Sequence, residues 1–256
     1  MNYGALMING GFAIWVFVTM VWMYSLVKND SGIMDIFWGI GFIIAGYFYI
    51  SADYSTSIQP RLLFLLVLIW GFRLALHIGI RNTGRPEDAR YAAWRTASGK
   101  KWWWFSYLKV FLLQGVVMWI VSLPLLTGLQ DQSGLGLLDY AGILFWITGM
   151  YFETVGDWQL LQFKKKAENK GKVFKDGLWA YTRHPNYFGE SLIWWGFTLI
   201  AIQGTTLWIL VSPILMTFLL LKVSGVNMLD KLLSRTKPEY ADYIRNTNAF
   251  IPGRKK

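Results

Sequence analysis

The sequence predicts an all-α, polytopic membrane protein with seven transmembrane helices, and three observations carry that expectation. Hydrophobic residues make up 54% of the 256 and aromatic residues 18%, whereas charged residues make up only 16%. A soluble globule of this length has too little interior to hide so much apolar surface. The apolar residues also gather into seven stretches, each near the roughly 20 residues that a helix needs to cross about 30 Å of hydrocarbon.

The first stretch runs from residue 5 to 26. No basic residue precedes it, no small-residue cleavage pattern follows it, and it outruns a signal-peptide core, so a retained helix is expected. The second, 33 to 51, opens with Asp35 close behind Asn29 and Ser31, residue types that cap helices. The third, 61 to 80, carries Arg73 and His77 one turn apart. The fourth, 106 to 127, follows Trp102, Trp103 and Trp104, aromatics suited to a membrane interface. The fifth, 137 to 160, carries Glu153 and Asp157 one turn apart near its end. The sixth, 186 to 203, starts beside Pro185, where a first-turn proline loses no useful hydrogen bond, and it places Asn186, Glu190 and Trp194 on one face. The seventh runs from 205 to 223.

Charge sets the expected orientation. Of the 25 basic residues, 21 fall at Lys28, between Arg81 and Lys101, between Lys164 and Lys175, or from Lys222 onward, all on one side of a seven-span bundle. The positive-inside rule then puts the N-terminus outside and the C-terminus in the cytoplasm. The net charge of +10 thus serves topology and headgroup attraction, and short linkers between spans exclude a nucleic-acid partner. With no cysteine and only two histidines, thiolate chemistry, disulfides and a histidine metal site are not expected. No Gly-x-Gly-x-x-Gly follows a strand pattern and no Walker sequence occurs.

In that orientation Asp35, Arg73, His77, Glu153, Asp157, Asn186 and Glu190 fall at one depth near the cytoplasm. The outer half has only Asp139 at a helix end, with Asp53, Arg61 and Asp131 in or beside loops. Singly, each has a plainer reading: Asp35 as a helix cap, Arg73 snorkelling, His77 packing, Glu153 and Asp157 pairing with Lys164 to Lys166. Independent caps would be spread over both faces, so the pattern predicts a pocket open to the cytoplasm, polar at its mouth and apolar beyond. Two basic linkers, with Arg85 in one and Lys164 and Lys172 in the other, border that mouth. So does the start of the sixth helix, where free N–H groups lie beside Arg183 and His184. A multiply phosphorylated cytoplasmic cofactor fits.

The segment Gly177-Leu178-Trp179-Ala180-Tyr181-Thr182-Arg183-His184-Pro185-Asn186-Tyr187-Phe188-Gly189-Glu190 resembles the steroid 5α-reductase family. Asn82-x-Gly84-Arg85-Pro86, Asp157 with Lys164 seven positions later, and the ending Phe250-Ile251-Pro252 match as well. The resemblance implies seven helices and reduction of an enone C=C bond by NADPH, on a Δ4-3-oxo steroid or similarly flat lipid. It also implies a bacterial inner-membrane location with the cofactor site facing the cytoplasm. Residues 1–130 would shape the substrate pocket and 131–256 would bind the cofactor, within one membrane domain. Arg73, His77, Arg85, Glu153, Asp157, Lys164, Lys172, Tyr181, Asn186, Glu190 and Trp194 would contact NADPH. Asp35 would stand for the carboxylate that assists a proton-donating tyrosine. The register places Trp70 or Gly71 where that tyrosine is expected, which leaves Tyr24, Tyr91, Tyr107 and the Trp70 indole as donors. Ser224 to Lys231 stand where the family's last histidine and tyrosine are expected. Arg-His-Pro-x-Tyr-x-Gly-Glu is also similar to the isoprenylcysteine carboxyl methyltransferases, which use S-adenosylmethionine. A lipid methyltransferase is therefore the rival reading, and a non-catalytic lipid-binding or transport protein the third. Asp35, Arg73 and Asn82 to Pro86 favour the reductase.

Overall fold

Apolar length turned into helix within the described parts of all seven stretches in the computed structural model, which describes residues 3–51, 57–131, 134–202, 207–223 and 225–254. Asp53 and Ser224 lie outside the described residues. Among the described residues there is no strand, only an isolated bridge between Thr182 and Asn248. Among the described residues, five helical stretches are long and apolar enough to cross a membrane: Tyr3–Lys28 (α1), Ile33–Ile50 (α2), Ile58–Asn82 (α3), Ala89–Val121 (α4) and Leu207–Thr236. Between them come Leu123–Gly128 (α5), Leu137–Lys165 (α6) and Pro185–Ala201 (α7). The 29 residues of α6 would reach across hydrocarbon but include Asp139, Glu153 and Asp157, and α7 has 17 residues. The Leu207–Thr236 stretch contains the helices Val211–Phe218 (α8) and Val226–Thr236 (α9), and Tyr240–Asn246 (α10) follows.

The fourth stretch differs most from expectation. The linker from Ala89 onward is helical and runs into the apolar segment, with a π-helical turn at Tyr107–Leu112. Asp88 explains the early start: its carboxylate accepts from the Arg90 N–H at 2.9 Å and so caps the helix.

The chain forms two units, Met1–Gly136 with Ala201–Ile209, and Leu137–Ile200 with Leu210–Lys256. In the first, α1 ends because Asn29 takes the left-handed conformation (φ 54°), and the Asp30 N–H returns to the Ser25 carbonyl at 3.1 Å. The Asp30 carboxylate accepts from the Gly32 N–H at 2.8 Å and turns the chain into α2. Helices α2 and α3 then touch backbone to backbone, since a Cβ on Gly39 would lie 2.5 Å from the Gly71 carbonyl oxygen. Around that contact Phe42, Trp70, Met34 and Leu63 are fully buried.

In the second unit α6 and α7 meet along a glycine seam. A Cβ on Gly142 would lie 2.6 Å from Gly196 O, one on Gly149 2.6 Å from Gly189 O, and one on Gly156 3.1 Å from Pro185 Cγ. The α6 glycines recur every seven residues, two helical turns, so all three lie on one face and let two backbones approach without intervening side chains. The seam sets Glu153 and Asp157 of α6 beside the first turns of α7.

Candidate functional site

In the first unit the polar groups near the start of α2 are gathered by the segment Glu87 to Arg95. Asp35 lies in the first turn of α2, yet its carboxylate caps nothing. Its Oδ1 accepts from the Tyr91 hydroxyl at 2.7 Å and its Oδ2 from the Arg90 guanidinium at 3.2 Å. The Tyr91 ring is buried, and its oxygen also accepts from Gln114 Nε2 at 3.3 Å. Arg90 in turn bonds Asp88. One turn on, Arg95 grips Glu87 through two nitrogens at 2.9 Å, and Glu87 accepts from the Ser31 N–H at 2.6 Å. Arg95 also donates to Asn29 at 2.7 Å, so this segment holds the α1–α2 turn and Asp35 together. Burial would raise the carboxyl groups of Glu87 and Asp88, but the bonds from Arg95 and Ser31, and from Arg90, outweigh it and hold both below the usual carboxylate range.

In the second unit the seam brings acidic and amide groups together. Asn186 Nδ2 donates to Asp157 Oδ1 at 3.1 Å, and Trp194 Nε1 donates to Glu190 Oε1 at 3.3 Å, one turn along α7. Glu153, Asp157, Glu190 and Trp194 are buried. The Asn186 Oδ1 is a buried acceptor with no hydrogen-bond partner among the described residues. A buried acceptor left unpaired costs free energy, which an N–H donor placed against it would recover.

The loop before α7 is tied to the tail. Thr182 Oγ accepts from the His184 N–H at 3.3 Å and donates to the Phe250 carbonyl at 2.8 Å. The Arg183 and His184 side chains turn away from a phosphate-like role, because Asp230 of α9 takes both. Arg183 NH2 donates to Asp230 Oδ2 at 2.7 Å, and His184 Nε2 lies 3.1 Å from Oδ1. Arg183 also donates to the carbonyls of Ile244 and Thr247, and the Tyr240 hydroxyl donates to Asp230 Oδ1 at 2.6 Å. Burial, then the bond to Asp230, pushes the Tyr240 phenol up, and burial does the same to Tyr243.

The structure thus joins Asn186 to Asp157 and Glu190 to Trp194, and it joins Asp35 to Tyr91. Among the described residues it does not join Asp35 to Tyr24 or Trp70. Tyr24 is half exposed beside Phe37, and Trp70 is fully buried against Phe42. Arg73 and His77 are half-buried one turn apart on α3. Arg85, Lys164, Lys172 and Tyr181 are exposed. Asp230 and Gln114 are the site residues that sequence reasoning passed over. Their partners lie 47 and 23 positions away, and no local spacing signals such pairs.

Comparison with known proteins gives a family and several partial likenesses. The pattern of the family described as "Protein of unknown function (DUF1295)" matches residues 21–247. A steroid 5-alpha-reductase DET2 from Gossypium hirsutum is 33% identical over 60 residues, 23% of this chain and 23% of that protein. A 3-oxo-5-alpha-steroid 4-dehydrogenase 1 from Rattus norvegicus is 32% identical over 118 residues, 43% of this chain and 40% of that protein. Its Mus musculus counterpart is 35% identical over 65 residues, 25% of this chain and 26% of that protein. The likeness therefore spans less than half the length of these curated relatives. No solved structure matches the chain.

Proposed function

This chain belongs to the DUF1295 family, and we propose that it is an integral membrane oxidoreductase that reduces the C=C bond of an enone lipid with NADPH. A Δ4-3-oxo steroid, or a similarly flat lipid, is the substrate class. The local similarity to steroid 5-alpha-reductases supports the reaction type. The seven-span reading, with α6 and α7 completing the five apolar helices and the C-terminus cytoplasmic, rests on the charge distribution.

The observation that carries the reading is the 2.7 Å bond between the Tyr91 hydroxyl and Asp35. A tyrosine on a carboxylate is a proton donor whose strength its partner sets. When Asp35 carries a proton, the Tyr91 oxygen accepts it and the Tyr91 hydrogen is released to a substrate oxygen. Gln114 holds the remaining lone pair. Tyr91 then stabilises the negative charge that develops on the carbonyl oxygen of an enone. This reading gives Tyr91 the donor role for which Tyr24, Tyr91, Tyr107 and the Trp70 indole all stand as sequence candidates.

In the second unit the buried Asn186 Oδ1, without a hydrogen-bond partner among the described residues, would suit the N–H of a nicotinamide carboxamide. Asn186, Glu190, Asp157, Glu153 and Trp194 would hold the amide, ring or ribose, with Tyr181, Lys164 and Lys172 from the same unit; Arg73, His77 and Arg85, of the first unit, are proposed as cofactor contacts from the sequence alone. NADPH held there would supply a hydride for the β-carbon of the enone, after which the α-carbon would take a proton to complete the reduction of the C=C bond.

Tyr91→Phe and Asp35→Asn test the assignment. With purified protein and a Δ4-3-oxo steroid, each variant is expected to lose turnover about a hundredfold while still binding NADPH. Wild-type turnover in both would remove the pair from the chemistry. A co-purifying adenosylmethionine product in place of a nicotinamide nucleotide would overturn the reductase reading itself.

A further inference from the structure

Where α1 runs into α2, Tyr24, Lys28, Asp30, Ile33, Ile36 and Phe37 line an open cleft of about 390 Å³. Its floor is apolar and held in place. The Phe37 ring meets Tyr24 edge-on at 6.5 Å and Phe17 at 6.2 Å between centroids. Two of its lining residues, Lys28 and Asp30, carry opposite charges, and no ion pair joins them among the described residues. The Lys28 ammonium lies 5.8 Å from the Tyr24 ring centroid and has no carboxylate partner among the described residues. The Asp30 Oδ1 accepts from the Gly32 N–H, and no second bond to its carboxylate is present among the described residues.

An unmatched cation and an unmatched acceptor, two positions apart in the lining of a largely apolar cleft, select for a ligand with both charges and a hydrocarbon tail. A purely anionic headgroup would suit Lys28 and be repelled by Asp30. A purely cationic one would meet the reverse. We propose that the cleft binds a zwitterionic phospholipid with a primary amine, of the phosphatidylethanolamine class. The phosphate lies on Lys28, the ammonium donates to Asp30, and an acyl chain covers Ile36 and Phe37. A quaternary choline has no N–H to give Asp30, and Lys28 already occupies the cation-binding neighbourhood of Tyr24. The proposal is independent of the reductase reading, because neither Lys28 nor Asp30 belongs to the proposed chemistry.

The test is native mass spectrometry of the full-length protein in detergent, equilibrated with equal amounts of phosphatidylethanolamine, phosphatidylcholine and phosphatidylglycerol. Wild type should retain one phosphatidylethanolamine about fivefold over either competitor. Lys28→Gln should lose that preference. Asp30→Asn keeps an oxygen for the Gly32 N–H, so the turn survives, and the remaining Lys28 should shift retention toward phosphatidylglycerol. Equal retention of the three lipids by wild type would mean an annular lipid only and overturn the proposal. So would a phosphatidylglycerol preference in wild type, or an unchanged preference in Asp30→Asn.

Discussion

The two units solve the same problem, polar groups beside hydrocarbon, by opposite means. In the first, Asp35 is satisfied by Tyr91 and Arg90, 56 and 55 positions away, on a helix that starts in a linker. In the second, Asn186 and Glu190 sit on consecutive turns of α7, and the glycine seam delivers Asp157 to them. The first arrangement depends on a surface segment keeping its grip. The second depends on two backbones staying in contact. The first unit also has a glycine crossing, but it sets glycine on glycine backbone once, Gly39 on Gly71, with Gly46 seven residues on against the Phe64 ring, whereas the α6–α7 seam does so twice. Polar placement should therefore fail abruptly in the second unit and gradually in the first.

Breaking the seam should give the largest effect. A leucine at Gly149 would drive its Cβ into the Gly189 carbonyl and Ile193, neither of which can yield without separating α6 from α7. More than about 3 kcal/mol of destabilisation is expected, enough to lose most folded protein in a detergent-based melting or size-exclusion assay. In the first unit Gly79→Ala adds a Cβ whose nearest neighbour, Ile36 Cγ2, is 3.9 Å away, and it should melt as wild type. Equal melting of Gly149→Leu and Gly79→Ala would dissolve the contrast.

The next effect concerns the clasp on the α7 entrance. Asp230→Ala leaves the buried Arg183 without its carboxylate and His184 and Tyr240 without an acceptor. Removing one partner of a buried ion pair costs about 3 kcal/mol. Asp230→Asn keeps part of the hydrogen bonding and should fall between wild type and Asp230→Ala in thermal melts. If Asp230→Ala melts like wild type, the tail does not hold the loop.

The contrast between the units also explains what could be read in advance. Helical period was legible: the turn-by-turn spacing of Asn186, Glu190 and Trp194 is a local property, and the structure keeps all three on one helix with Glu190 bonded to Trp194. The α6 glycine spacing is equally visible in the chain, but a repeat does not name the helix it meets. Long-range pairs were not legible. Arg183 and His184 lie beside a helix N-terminus and suggest an anion site, yet a carboxylate 46 or 47 positions on takes both side chains. Tyr91 was only one donor among several, because nothing local ties position 91 to position 35. Asp88 after Pro86 was the available hint that the linker turns helical there and presents Tyr91 from a fixed backbone.

The smallest expected effect sharpens the first unit's dependence on its surface grip. Glu87 accepts two bonds from Arg95 and one from the Ser31 N–H, and these hold its carboxyl below the ordinary glutamate value despite burial. A depressed folded-state value means that the ionised form stabilises the fold. That contribution is complete above the ordinary glutamate value and is lost as pH falls through the lowered one. Solvent screens the Arg95 side, so Glu87→Gln should cost only about 1 kcal/mol at neutral pH. The gap in melting temperature between wild type and Glu87→Gln should narrow as pH drops below about 4.3, and should close once Glu87 is protonated in the folded protein. A gap that persists unchanged at low pH would mean that Glu87 holds the α1–α2 turn by shape and neutral hydrogen bonds. The grip of the linker on that turn would then owe nothing to charge.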